Sequence, residues 1–391
     1  MLNTKELGLI ALVRTALLQE KTQPPQDFSL TQILPLIRRH QIAPMIMEAL
    51  AFYDDLDVSM CMDKLLQISG LSISVTESQI EETKALCAAF EEEKIDYALL
   101  KGSVIMNYYP KPYVRSMADV DILVRVGQYD RIEPIMRRFG YEQGTESDHE
   151  YNWQKGRVHI ELHKYLIPSY NKRYYAYFGD GWALMRQTEN TTAYTMTDED
   201  CFVYAFTHYA KHFRDGGIGI KHLTDLWVCK RACPNMDEKY ILKGLKHLGL
   251  DEFYANVMQT ASAWFDGGEM TEIAQTLTSE IISSGAYGRA DSYRKAEALR
   301  NAPAAGKKSK FRWVMRKIFL PYKNMCIKYP FLRYVPILLP VMWVVRWIAA
   351  MICKPKNVKK NVHDARNMSQ EAVDEYRAYL ASLGLYFDNA S

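Results

Sequence analysis

The chain has 391 residues, 48% hydrophobic and 24% charged, the composition of a folded globular protein long enough for two or three domains. A net charge of +3 and a pI near 8.3 are too mild to mark a nucleic-acid-binding protein by charge alone. Seven dispersed cysteines, an odd number, exclude a secreted disulfide framework and make a reducing, cytoplasmic compartment the expectation.

The first residues, MLNTKELGLIALVRTALLQE, set Lys5 and Glu6 ahead of a short apolar run with Arg14 inside it. No small-residue cleavage site follows, so the run predicts an amphipathic helix rather than a signal peptide. Helical spacing of apolar residues continues to about Phe90, with Pro35 and Pro44 expected to break it into short pieces. At Ile95 the pattern changes: DYALL reads as a short buried strand, Lys101-Gly102-Ser103 as a turn and VIMNYY as a helix. After Pro110 and Pro112, ADVDILVRV alternates Val120, Ile122 and Val124 with Asp119, Asp121 and Leu123, which predicts a strand with two unlike faces. Gln128 to Phe139 predicts a helix ended by Gly140. In RVHIELHKYL, His159, Glu161 and His163 fall at every second position and share one face of a strand.

From Thr197, a predicted N-cap with Asp200 three residues on, helices return and continue to about Leu299. FVYAFTHYAKHF sets His208 and His212 one turn apart, DGGIGI reads as a flexible break, and KHLTDLWVCKR sets Lys221 and Asp225 at the spacing of an ordinary helix ion pair. Cys229 and Cys233 have no second pair and no neighbouring His, so they read as helix residues rather than as a zinc or redox motif.

Lys307 to Lys360 holds fourteen Lys and Arg and no Asp or Glu, interleaved with aromatics that include Trp313, Trp343 and Trp347. Within it, Val335 to Ile352 carries one charge, Arg346. Pro336 and Pro340 are expected to leave an uninterrupted helix of about thirteen residues, roughly 20 Å long against a hydrocarbon core of about 30 Å. That favours a peripheral contact with the anionic inner face of a membrane, Trp343, Trp347 and Lys354 included, over a span. A helix packed on the globular body stands close behind, and a single-strand nucleic-acid surface is the least favoured reading. A last helix, Gln370 to Leu383, is expected to be capped by Ser369 and stopped by Gly384.

Asp119 and Asp121, two apart on a strand, aim both carboxylates to one side, with backbones about 7 Å apart. Their mutual repulsion is relieved by a divalent cation, and Mg2+ is typically held by one or two carboxylates together with substrate phosphates. Glu161 on a later strand offers a third carboxylate, and the Gly102-Ser103 turn offers backbone N–H groups for phosphate. A solvated acidic face and a plain turn are the bland alternatives for these two motifs.

KGSVIMNYY, VRSMADVDILV and VHIELH together resemble the uncharacterised nucleotidyltransferase family of the DNA polymerase beta superfamily, over roughly His40 to Leu299. The resemblance implies an α+β fold: a small mixed-sheet nucleotidyltransferase core at 94–190, flanked by an N-terminal helical region at 1–93 and a helical region at 191–300 that closes over nucleotide. The basic aromatic segment at 301–363 and a C-terminal helix at 364–391 follow. It also implies transfer of a nucleoside monophosphate from a nucleoside triphosphate such as ATP to an unidentified acceptor, with Mg2+ or Mn2+ held by Asp119, Asp121 and Glu161. Nucleotide would be bound by Lys101, Gly102, Ser103, Arg115, His163, His212 and Asp225. Lys101 and Arg115 read equally well as phosphate-neutralising groups or as ion-pair partners. The fifteen residues between Ser103 and Asp119 exceed the usual superfamily interval and weaken the phosphate role of Ser103. A zinc reading of His159-x-Glu161-x-His163 ranks below hydrogen bonding of these imidazoles to Glu161. The alternative to an enzyme is a catalytically silent nucleotide-binding protein or a membrane-surface interaction protein.

Overall fold

The computed structural model describes residues 2–300, 315, 318–353, 355, 359 and 370–386. By internal contacts the chain divides into two compact units, one over Met1–Phe213, Gly217–Arg289 and Leu383–Leu385, the other over Arg214–Gly216, Ala290–Ser382 and Tyr386–Ser391.

The first unit is built on a mixed sheet of seven strands. They are β1 (Tyr97–Leu99), β2 (Val120–Val124), β3 (Glu142–Glu146), β4 (Glu150–Lys155), β5 (Val158–His163), β6 (Arg186–Gln187) and β7 (Ala193–Thr195), in the order β3-β4-β5-β2-β1-β7-β6. β3, β4 and β5 form an antiparallel meander, β5 runs parallel to β2, and β1 is antiparallel to β2. The fold is therefore α+β with a mixed sheet, as the sequence predicts.

One face of β2 carries Val120, Ile122 and Val124 into a core shared with Phe90, Ile132, Met136, Trp153, Ile160 and Leu162. The Met62–Glu92 and Tyr129–Arg138 helices supply the helical side of that core, and Gly140 ends the second with a left-handed φ of +81°. All five residues of β2 are buried, so its two faces differ in chemistry and not in exposure. A central strand has a covering on both sides.

Three sequence expectations are corrected here. The Thr4–Leu18 helix, capped by Asn3 with Glu6, is buried on nearly every side from Gly8 to Val13 and is a core helix rather than an amphipathic one. Pro44 sits in the first turn of the Ala43–Leu50 helix, where a missing N–H costs nothing, and Pro35 lies inside the Leu30–His40 helix without ending it. DGGIGI is not a flexible break. The Asp198–Gly216 helix, N-capped by Thr197, runs to Gly216, and Gly217 to Ile220 are buried before the Ile220–Ala232 helix begins. A Cβ on Gly217 would fall 2.1 Å from Ser284 Oγ, and one on Gly219 would fall 2.8 Å from the Gly285 carbonyl oxygen. These glycines permit close packing.

In the second unit the Ala290–Arg300 and Gln370–Ser382 helices pack on each other, with Ala296, Val373 and Leu380 buried. Met325, Cys326 and Leu332 form a small core with Trp343 against it. Trp343 and Trp347 donate their indole N–H groups to the carbonyls of Leu320 and Ile318 at 2.9 and 2.7 Å. The apolar run is longer than the prolines led the sequence to predict. Pro336 opens a 3-10 turn, Pro340 lies in the first turn of the Leu339–Cys353 helix, and together they make an 18-residue helical stretch, Pro336–Cys353, with mean hydropathy 1.9 and no buried residue. Trp313, Lys354 and the expected cap Ser369 lie outside the described residues.

Candidate active site

Parallel pairing of β2 with β5 sets Asp121 opposite Glu161 and Leu123 opposite His163, so the acidic side of β2 and the Glu161/His163 side of β5 form one surface. Asp119 lies one residue before β2. Asp121 Oδ1 accepts two hydrogen bonds, from Lys101 Nζ at 2.6 Å and from His163 Nε2 at 2.7 Å. A carboxylate only accepts, so the His163 proton resides on Nε2. Asp121 Oδ2 has no protein donor and opens on the cavity.

Burial alone would raise the pKa of Asp121, but Lys101 and His163 outweigh it and hold the carboxyl well below the usual range. Burial likewise disfavours the Lys101 ammonium, and the Asp121 carboxylate more than compensates, so its pKa is raised. Asp119 has no such partner. Burial first, then the charges of Asp121 and Glu161, push its carboxyl up to about 7.

Lys101 adopts φ +46° and ψ −118°, a conformation L residues rarely take, with a cost on the order of 1–3 kcal/mol. Lys101, two residues past β1, is thereby turned onto Asp121, and of its two predicted roles the structure displays the ion pair. Gly102 is required for a different reason: a Cβ there would meet Arg115 Nη1 at 2.5 Å. Arg115 is itself clamped to Asp225, Nε to Oδ1 at 3.2 Å and Nη2 to Oδ2 at 2.8 Å, while the Tyr109 hydroxyl donates to Asp225 Oδ1 at 2.7 Å.

Several predicted contacts are redrawn. Ser103 lies outside the cavity lining, its amide is spent on the Leu100 carbonyl at 3.2 Å, and its Oγ is buried without a partner. Ser103 is the second residue of a helix of only four, Gly102–Ile105. Lys221 does not pair with Asp225 along its helix, because Arg115 already holds that carboxylate; its Nζ donates to Gln41 Oε1 at 3.3 Å and to the Ser116 carbonyl at 3.2 Å. His163 bonds Asp121 rather than Glu161, whose Oε2 is 3.6 Å away, and His159 points out to solvent.

Facing the sheet, the two helices 198–216 and 220–232 contribute His208, His212, His222, Lys221 and Asp225 to a cavity of about 430 Å3 that Lys101, Gly102, Arg115, Asp119, Asp121, Glu161 and His163 also line. His212 and His208 are linked Nε2 to Nε2 at 3.0 Å. Burial, followed by neighbouring cations, holds both imidazoles well below their ordinary pKa, and His222 is pushed down to about 3. Burial and then Arg115 push the buried Lys221 down to about 7, against the opposing pull of Asp225 and Asp119.

The residues fit a divalent cation. Ligand atoms of Asp121, Glu161 and His163 lie within 4.8 Å of one another, and Asp119 adds a carboxylate held near neutrality for want of a cation partner. Sequence reasoning passed over four lining or adjoining residues: His149, just before β4, Glu150, which opens it, His222, and Tyr109, which orients Asp225. No local signal marks the first two, which reach the site only because β4 pairs antiparallel with β5 and sets Glu150 in register with His163.

The family model for an uncharacterised nucleotidyltransferase matches residues 26–266. No curated protein matches the chain. Among solved structures, the antibiotic-resistance factor ANT(2'')-Ia is similar over 47% of this chain and 96% of its own, at 13% identity and a TM-score of 0.34.

Proposed function

We propose that this chain, which belongs to the uncharacterised nucleotidyltransferase family, transfers a nucleoside monophosphate from a nucleoside triphosphate to an acceptor in the cavity between the sheet and the two helices. The observation that carries this reading is the convergence of Asp119, Asp121 and Glu161 on a cavity whose volume, about 430 Å3, suits a nucleotide and whose other side carries Lys221 and Arg115.

In such a transfer an acceptor oxygen bonds to the α-phosphorus, the bond to pyrophosphate breaks, and the acceptor proton passes to a base. A divalent cation such as Mg2+ or Mn2+, held by Asp119, Asp121 and Glu161, would neutralise phosphate charge and acidify the acceptor hydroxyl. The protein's own groups supply the rest. Lys101 and His163 fix Asp121 through one oxygen and leave the other to the cavity. Arg115, held flat against Gly102 by Asp225, and Lys221 offer positive charge to phosphate oxygens. Glu161, partly open to the cavity, is placed to take the acceptor proton. Neutral His208 and His212 donate or accept hydrogen bonds at nucleotide without repelling the Lys221 and Arg115 charges.

Isothermal titration with ATP, GTP, CTP and UTP, with and without Mg2+, tests the reading. Wild type is expected to bind one triphosphate in a metal-dependent manner, and Asp119→Asn/Asp121→Asn to lose it. No binding of any triphosphate with metal present would transfer the weight to a silent interaction protein.

For location, we infer that the Pro336–Cys353 stretch meets a bilayer. Its support is an 18-residue apolar run with no buried side chain, about 28 Å long at helical rise. Trp343→Ser/Trp347→Ser is expected to release the protein from anionic vesicles in a flotation assay. Unchanged flotation would remove this reading.

A further inference from the structure

Beside the carboxylates, the cavity contains a second group of metal-ligating side chains, which shares His163 with the first and adds two residues, His149 and Glu150, to which the proposed transfer gives no role. His149 precedes β4, Glu150 opens it, and His163 closes β5; one ligand atom from each lies within 4.8 Å of the other two, and all three line the cavity. Two imidazoles and a carboxylate make a donor set unlike that of the aspartates. Oxygen ligands suit Mg2+, whereas imidazole draws zinc and its neighbours in the transition series.

The hydrogen bonds prepare both rings for a cation. His163 donates from Nε2 to Asp121, and its remaining nitrogen, Nδ1, is buried and has no hydrogen-bond partner in a side chain that is 1% exposed. His149 is held on the Nδ1 side by Asp148 Oδ1 at 3.2 Å and Ser147 Oγ at 3.0 Å, with Nε2 turned to Glu150 Oε2 at 2.9 Å. His163 thus has one nitrogen on an aspartate and the other without a partner, the pattern by which a carboxylate fixes the tautomer of a metal-binding histidine, whereas His149 has Asp148 on Nδ1 and Glu150 on Nε2, so that a cation would replace the proton shared by His149 and Glu150. The ring centres of His149 and His163 are 5.9 Å apart. An ion bonded to both at about 2.0–2.1 Å in tetrahedral geometry would hold them about 5 Å apart, a shift of less than 1 Å. Register makes the arrangement possible, since antiparallel pairing sets Glu150 opposite His163.

We propose that His149, Glu150 and His163 form a second cation site, of the zinc class, with Asp121 and Asp148 orienting its two imidazoles and a coordination position left toward the cavity. Three protein ligands of the His2Glu type with an open fourth position are the usual complement of a zinc ion that meets substrate. In this arrangement Asp121 serves both groups, with Oδ1 on His163 and Oδ2 toward the cavity. The zinc reading of His159-x-Glu161-x-His163, ranked second from the sequence, takes its other imidazole from His159, which is exposed. The second imidazole comes from the neighbouring strand's approach.

The test is metal content, read independently of any transfer activity and of nucleotide binding. Full-length protein stripped with chelator is titrated with Zn2+ alone, passed through gel filtration and assayed for bound metal. Co2+ is titrated in parallel and followed by its visible spectrum. Wild type is expected to retain one zinc per chain and to give the intense bands of low-coordinate Co2+ with nitrogen ligands. His149→Ala and Glu150→Gln are each expected to weaken Zn2+ at least tenfold, with Asp119→Asn leaving it in place. Excess Mg2+ should not displace the Co2+ bands. Should His149→Ala fail to give a native circular-dichroism spectrum, Glu150→Gln and the wild-type Co2+ spectrum decide. Zinc-free wild type after gel filtration, equal affinity in wild type and Glu150→Gln, or loss of the Co2+ bands to Mg2+ would each overturn the site.

Discussion

On the sheet wall of the cavity, Asp121 and Lys101 are enclosed and keep their ionic form, whereas on the helical wall His208, His212 and His222 are enclosed and are held neutral. The difference lies in the partners. Asp121 Oδ1 accepts from the Lys101 ammonium and from His163 Nε2, and the mutual attraction of carboxylate and ammonium outweighs desolvation for both. For the three histidines of the helices burial is the largest cause; neighbouring cations add to it, and the pull of Asp225 on His222 and of Asp121 on His212 does not offset it. A buried group's charge is decided by what it touches. One wall is thereby a fixed ionic lattice, and the other is a set of neutral groups awaiting an anion.

The strongest way to break the contrast is to remove the centre of the lattice. Asp121→Leu leaves the Lys101 ammonium enclosed without its carboxylate and His163 without its acceptor, and breaking a buried pair from one side costs about 3–5 kcal/mol. Urea denaturation should show that loss, and Lys101→Met/Asp121→Leu should recover much of it. A single variant as stable as wild type would mean that the lattice carries no weight.

Asp119 sharpens the contrast, because it stands on the sheet wall without a cation. Its folded pKa of about 7 lies well above the ordinary aspartate value, so between the two the native state holds a proton that the unfolded chain has released. In chelator, that group's contribution to stability should therefore decline as pH rises from about 4 to 7 and level off above 7. With Mg2+ the sign reverses, since the cation replaces the proton, and the Mg2+-induced rise in melting temperature should grow to pH 7 and then saturate. A Mg2+ effect equally large at pH 5 and pH 8 would contradict the placement of Asp119 at the cation.

The sheet wall was the more legible of the two in the sequence. Alternation in ADVDILVRV and VHIELH fixes which side chains share a face, and a strand's period of two leaves little freedom once one face is apolar. Thr197 and Gly140 marked helix ends for equally local reasons. What stayed hidden depends on contacts distant in sequence. The spacing of Lys221 and Asp225 suggests a helix pair, but Arg115, 110 residues earlier than Asp225, takes the carboxylate. The glycines of DGGIGI look like slack and are in fact pressed against 284–285. Glu150 and His149 acquire meaning only when β4 folds back on β5.

The smallest expected effect on stability falls on the helical wall, at Lys221. Its hydrogen bonds to Gln41 and Ser116 are long, 3.2–3.4 Å, and its ammonium is already destabilised to a pKa of about 7. Lys221→Met should therefore change stability by about 1 kcal/mol or less at pH 8, where Lys221 is largely an uncharged amine and an apolar isostere gives up only long hydrogen bonds. Nucleotide is another matter. A triphosphate beside Lys221 raises its pKa, so binding at pH 8 should take up a proton, whereas Asp119 is by then already ionised and contributes none. Titration calorimetry at pH 8 in two buffers of different ionisation enthalpy reads that uptake directly. Wild type should show buffer-dependent heats, and Lys221→Met should lose them together with about tenfold in affinity, or roughly 1.4 kcal/mol. Identical heats in both buffers for wild type would mean that Lys221 does not meet the phosphates, and that the helical wall recognises some other part of the ligand.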